Sequence, residues 1–232
     1  MRERSLLSDN IKKINEKIGN AAVKSGRDLS DITLIAVTKT VDIESINEAI
    51  SNGIKHIGEN RVQEFSEKNS QLLPCKKHMI GTLQSNKVNK IVGQVDLIQS
   101  VNSVRLASEI GKQSRRLCIV SDILLEINIG NEQSKTGADI LKTDEMLDEI
   151  SKIEGVFVKG IMTIAPICDK SKDLLKFFYN MHQLFIDIGR KKRDNVVMDF
   201  LSMGMSGDFE EAVLSGSNMV RIGSALFGGR NI

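Results

Sequence analysis

At 232 residues, 41% hydrophobic and 27% charged, the chain is close to the ~250 residues of a closed (β/α)8 barrel and long enough to bury a core in one domain. A formal charge of +2 excludes a basic nucleic-acid binder, and the apolar content excludes a disordered chain.

Leu7, Ile11, Ile14 and Ile18 recur at three- and four-residue steps, which predicts an amphipathic helix over residues 1–26 that precedes the first strand and packs on the domain. Apolar, β-branched runs then alternate with helical stretches: Ile32 to Thr38, Ile54 to Gly58, Met79 to Gly81, Asp96 to Ser100, Ile123 to Ile129, Val156 to Ile164, Val196 to Leu201 and Met219 to Ile222. Between the sixth and seventh, Leu174, Phe178, Met181, Phe185 and Ile188 share one helical face. Eight such units with crossover helices predict parallel strands closed into a single (β/α)8 barrel spanning residues 1–232. Cys75, Cys118 and Cys168 are odd in number and far apart, which argues against a disulfide framework and for a reducing, cytoplasmic setting. No apolar stretch is long enough to span a bilayer, and Arg2, Glu3 and Arg4 do not open a secretion signal. His56, His78 and His182 lack the paired spacing of metal ligands, so no metal is expected.

Polar residues and glycines cluster after the C-terminal ends of these runs, where barrel active sites lie. Lys39 follows the first, Glu59 and Asn60 the second, and Asn128 lies near the end of the fifth. Ser202, Gly204 and Ser206 follow the seventh, and Arg221, Gly223 and Ser224 lie on or after the eighth. A desolvated lysine can lose its proton, and the neutral amine attacks an aldehyde to form a Schiff base. Every strand also ends in something polar, so Lys39 alone has an ordinary structural reading. The loops after the last two strands change that reading, because in barrels they form phosphate sites from backbone N–H groups. Ser202-Met203-Gly204-Met205-Ser206-Gly207-Asp208 and Gly223-Ser224 supply the small residues, and Asp208 with Glu211 resembles a capping box. Turn chemistry alone would account for either loop. A phosphate cradle and a reactive amine together fit pyridoxal 5'-phosphate, PLP.

The segments LIAVTKT around Lys39, GENRVQE from Gly58, HMIGTLQSNK from His78, EINIGNEQSKTG from Glu126, GIMTIAP from Gly160 and the run from Leu201 to Arg230 cover most of the chain. In them the chain resembles the cytoplasmic pyridoxal phosphate homeostasis proteins, which share the barrel of the fold-type III alanine racemases. The resemblance implies that Lys39 is the Schiff-base lysine, that Ser206, Gly223 and Ser224 hold the phosphate, and that Arg221 faces the pyridine nitrogen. It also implies that Asn60 lines the pocket and that Ser202 is a further contact. Thr82 stands where the family commonly has proline, and Ser224 where it commonly has threonine, a change that keeps the hydroxyl.

An arginine at the ring nitrogen donates a hydrogen bond there and disfavours its protonation, which weakens carbanion chemistry. The racemases add a tyrosine from a C-terminal β-domain, but this sequence ends at Ile232, and Tyr179 is its one tyrosine. The expectation is therefore a carrier or buffer of the cofactor, without catalytic residues, that supplies apo PLP-dependent enzymes and can be a monomer. A PLP-dependent amino-acid racemase is the alternative, and a phosphate-binding barrel enzyme without cofactor a third. The basic run Arg190 to Arg193 reads as a solvated helix end. Lys87 and Lys135 read either as surface lysines or as a second anion site.

Overall fold

The computed structural model describes residues 2–129, 137–166 and 171–228; Lys135 and Cys168 lie outside them. In chain order the elements begin α1 (Arg2–Lys24), β1 (Thr33–Val37), α2 (Ile43–Ser51), β2 (His56–Glu59), α3 (Val62–Lys68), β3 (Lys76–Met79), β4 (Leu97–Val101), α4 (Val104–Arg116) and β5 (Ser121–Asn128). They continue with β6 (Ala138–Asp139), α5 (Thr143–Ile150), β7 (Val156–Met162), α6 (Ser171–Gly189), β8 (Val196–Ser202), α7 (Phe209–Leu214), β9 (Met219–Ile222) and α8 (Ser224–Phe227). Polar side chains open several helices: Asp42 accepts from the Ser45 N–H at 2.8 Å ahead of α2, and Ser103 from the Leu106 N–H ahead of α4.

The strands run β4-β3-β2-β1-β9-β8-β7-β5 in parallel, and β4 pairs again with β5, through Ile98 with Ile123 and Val101 with Leu125. This closes an eight-stranded barrel; β6 adds only a two-residue pairing outside β5. The third strand lies earlier than the apolar run Met79 to Gly81 suggests. Lys76-Lys77-His78-Met79 pairs with His56 to Glu59, a register fixed by backbone ladders where side-chain pattern is silent.

Two shells of core follow from strand alternation. Outward-facing strand residues pack against the helices, Ile98, Ile123 and Val158 with Phe178 and Met181 of α6 on one side and Ala36, Ile57 and Val220 with Ile46 of α2 on the other. Leu7, Ile11, Ile14 and Ile18 of α1 join the second group. Asn10 Nδ2 donates to the Leu226 carbonyl at 2.9 Å and Lys17 pairs with Glu210, which docks α1 beside α7 and α8. Inside the barrel, Ile35, Leu97, Leu124, Met162 and Met219 form an apolar layer with Phe200. Two residues further along four of these strands stand Gln99, Glu126, Ser202 and Arg221, so a polar layer lies directly above it, toward the C-terminal mouth. No described helix is long and apolar enough to cross a membrane.

Candidate functional site at the C-terminal mouth

β2, β1, β9 and β8 are neighbours, so their C-terminal ends bring Lys39, Asn60, Ser202, Ser206, Arg221, Gly223 and Ser224 to one arc of the mouth. The Thr38 N–H extends the β1 ladder to the Gly58 carbonyl at 2.9 Å, and Lys39, the next residue, is exposed. Asn60, half-buried, is held by close approach: a Cβ on Gly81 would lie 2.2 Å from the Asn60 carbonyl oxygen, so only glycine lets the β3 end pass.

The backbone on both sides of Lys39 is clamped from α3. Lys68 Nζ donates to the Thr38 carbonyl at 3.0 Å and pairs with Glu59 at 3.3 Å and Glu64 at 3.2 Å. Thr38 Oγ1 donates to Glu59 Oε2 at 3.0 Å, and the Thr40 N–H donates to Glu64 Oε2 at 2.8 Å. Thr40 has φ +59, a left-handed conformation that a β-branched residue adopts only when held there. Burial raises the Glu64 pKa, but the Thr40 N–H and Lys68 outweigh it and the net shift is downward.

Across the arc, Ser206 Oγ accepts from the Gly223 and Ala225 N–H groups, each at 3.2 Å. Two backbone donors thus converge on one oxygen at the rim, with exposed Ser224 between them. Gly204 has φ +98, and a Cβ there would lie 2.6 Å from Ala212 Cβ, so the turn after β8 also requires glycine. The expected capping box does not form, because the Asp208 carboxylate turns back and accepts from the Met205 N–H instead.

Arg221 is 4% exposed. Its Nη1 donates to Ser202 Oγ at 2.7 Å and its Nη2 to the Thr163 carbonyl at 2.8 Å, which fixes the guanidinium plane. Burial pushes the Arg221 pKa down to about 10, against the carboxylates of Asp208 and Glu126, so it stays cationic at neutral pH. Burial likewise raises Asp208, with the Met205 N–H and Arg221 opposing. Ser202 is fully buried and its hydroxyl donates to Gln99 Oε1 at 2.7 Å, so it sits beneath Arg221 within the polar layer.

Gln99, His78, Glu64 and Lys68 belong to this arrangement and escaped the reading of strand ends. The signal for Gln99 was a polar residue two positions after an interior leucine on the same face of the strand. Lys87, half-buried, lies on the short Ser85–Lys90 helix, away from the β8 and β9 loops. The basic run pairs with acids: Lys191 and Arg193 with Asp144, Arg193 with Asp148, and Arg190 with Asp187. Among the described residues no group of three metal-binding side chains occurs.

The chain matches the model of the alanine racemase N-terminal domain over residues 7–231. It is 38% identical over 224 residues to the pyridoxal phosphate homeostasis protein of Aquifex aeolicus, covering 96% of this chain and 97% of that one. Among solved structures it is similar to an unknown protein from Bifidobacterium adolescentis, with TM-score 0.91, 31% identity and coverage of 97% and 96%. It is also similar to PipY of Synechococcus elongatus PCC7942 with PLP bound, with TM-score 0.84, 28% identity and coverage of 96% and 100%.

Proposed function

The chain belongs to the alanine racemase N-terminal domain family and, within it, to the pyridoxal phosphate homeostasis proteins, and from that premise we propose that it binds and releases PLP without turning over amino acids. The residues present fit the cofactor. The Gly223 and Ala225 donors already converge on one oxygen, the geometry a phosphate oxygen takes up. A buried, plane-locked guanidinium stands two residues before them, and an exposed lysine ends the adjacent strand.

Bound there, the cofactor supplies an aldehyde with which a primary amine condenses, expelling water. Lys39 presents that amine, held in place through Thr38 and Thr40. Ser206, Ser224 and the Gly223 N–H bind the phosphate, Arg221 donates to the pyridine nitrogen, and Asn60 walls the ring. Ser202 acts from below by orienting Arg221. The observation that carries the carrier reading is Arg221: a donor-only cation holds the ring nitrogen unprotonated, the form that least stabilises a carbanion. Its work is cytoplasmic, with apo PLP-dependent enzymes as recipients, and a monomer suffices for it. The test is a visible spectrum of the PLP-loaded protein before and after borohydride reduction, with mass mapping of the label. One equivalent on Lys39 is expected; label mainly on another lysine overturns the site.

A further inference from the structure

The polar layer inside the barrel continues beyond Ser202 as one hydrogen-bonded chain. Arginine only donates, so Ser202 Oγ accepts from Arg221 and donates its own hydrogen bond to Gln99 Oε1 at 2.7 Å. With that oxygen committed, Gln99 Nε2 donates to His78 Nδ1 at 3.1 Å, and His78 therefore carries its proton on Nε2, 3.0 Å from His56 Nδ1. Every bond points the same way, from Arg221 near the mouth to half-buried His56 at the start of β2. The Gln99 to Ser202 bond spans the barrel interior, because β4 and β8 are not neighbours.

We propose that Gln99 and His78 are positioning residues for Arg221, holding its guanidinium through Ser202 in the orientation that meets the cofactor ring. The inference rests on the proposed placement of that ring against Arg221. A buried hydroxyl needs an acceptor, and Gln99 Oε1 is the acceptor that leaves the Ser202 lone pair turned to Arg221. Gln99 keeps this orientation only while His78 Nδ1 is bare. If His78 carried its proton on Nδ1, the amide would turn over and present N–H to Ser202, whose own proton would then point back at a cation. Burial, with the neighbouring His56 adding to it, pushes the His78 pKa down to about 3, so the ring stays neutral and able to accept. Each member is nearly or fully buried as far as His78, so water does not substitute for a lost link.

Two measurements on the full chain test this. In the cofactor-free protein, 15N NMR of the imidazoles is expected to show His78 protonated on Nε2 with a hydrogen-bonded, bare Nδ1; a proton on Nδ1 overturns the chain. Rotation of the Arg221 guanidinium, read from exchange of its Nη signals, is expected to quicken in Gln99→Met and in His78→Phe. Gln99→Glu keeps an acceptor for Ser202, so it should leave that rotation slow while transferring the His78 proton to Nδ1. In the PLP-loaded protein the two cutting variants should shift the visible maximum and speed PLP release about two- to tenfold, the loss of one hydrogen bond. Unchanged guanidinium rotation in both cutting variants overturns the proposal. Failure of the wild-type chain to take up PLP overturns the binding reading instead, and the cofactor-free measurements still decide the role of Gln99 and His78.

Discussion

The ammonium of Lys68 donates to the carbonyl of Thr38 at 3.0 Å, so a side chain of α3 holds the residue that immediately precedes Lys39. The same ammonium neutralises Glu59, itself 2% exposed. Lys68→Met would leave that carboxylate buried beside only a threonine hydroxyl and an amide. Removing one partner of a buried pair costs roughly 3–5 kcal/mol, and since Lys68 is partly exposed the lower end applies. A fall in the urea midpoint at unchanged slope is expected; an unaltered midpoint would show that water replaces the ammonium.

Lys39→Ala is expected to abolish borohydride-trapped cofactor while leaving the far-UV circular dichroism and thermal midpoint nearly unchanged. Lys39 is exposed at the mouth and belongs to no core cluster, so truncation there falls within about 0.5 kcal/mol of neutral. Loss of the folded signal would mean that Lys39 serves the barrel rather than the ligand.

The phosphate arm gives a graded expectation. Ser206 Oγ occupies the Gly223 and Ala225 N–H groups in the cofactor-free chain, so an arriving anion must first displace it. Ser206→Ala therefore removes a donor to the anion and a competitor for the same backbone groups together. A hydrogen bond to a charged group is worth roughly 1.5–3 kcal/mol, and the freed N–H groups offset part of it, so affinity should fall about tenfold or less. Ser206→Ala with Ser224→Ala should reach up to about a hundredfold in equilibrium dialysis. Unchanged affinity in the double variant would move the phosphate elsewhere.

Most of the barrel was legible because its strands are apolar, β-branched runs, and the order of polar residues after them located Lys39, Asn60, Arg221 and Gly223. β3 was displaced in the reading because Lys76-Lys77-His78 carries no alternation; its place is dictated by ladder bonds to β2. Gln99 and His78 were illegible for a different reason. Their partners lie more than a hundred residues away or on another strand, and only closure of β4 onto β5 turns Gln99 toward Ser202. The Lys68 clamp is likewise tertiary: Glu64 and Lys68 read as an ordinary i,i+4 pair on a helix until α3 is laid against β1.

Acid should destabilise the fold through His78. Its pKa is about 3 in the folded chain and near 6.5 when unfolded, so between those values only the unfolded chain takes up the proton. The stability at stake is fully present above pH ~6.5 and is lost as pH falls toward 3, by about 5 kcal/mol at most. Burial lowers His56 and His182 as well, which steepens the same limb. His78→Phe should flatten the decline in unfolding free energy between pH 6 and pH 4 relative to wild type. An identical slope in both proteins would remove His78 as its source.

Racemisation demands that a proton leave one face of the substrate carbon and another arrive at the opposite face. Lys39 can serve one face once its amine is displaced. The sequence's one tyrosine, Tyr179, lies 58% exposed on α6, outside the ring of helices, and Arg221, with its pKa pushed down to about 10, stays cationic at neutral pH and so is not a base. Holo-protein incubated with L-alanine in deuterated buffer is therefore expected to exchange the α-proton slowly, with the L-isomer retained, and to pass PLP to an added apo-enzyme. The α-proton signal and the D-isomer are followed together by NMR and chiral chromatography. D-alanine appearing at about one turnover per second or faster would replace the carrier with a racemase. Exchange without inversion would instead place Lys39 as the sole base and leave the buffering role intact.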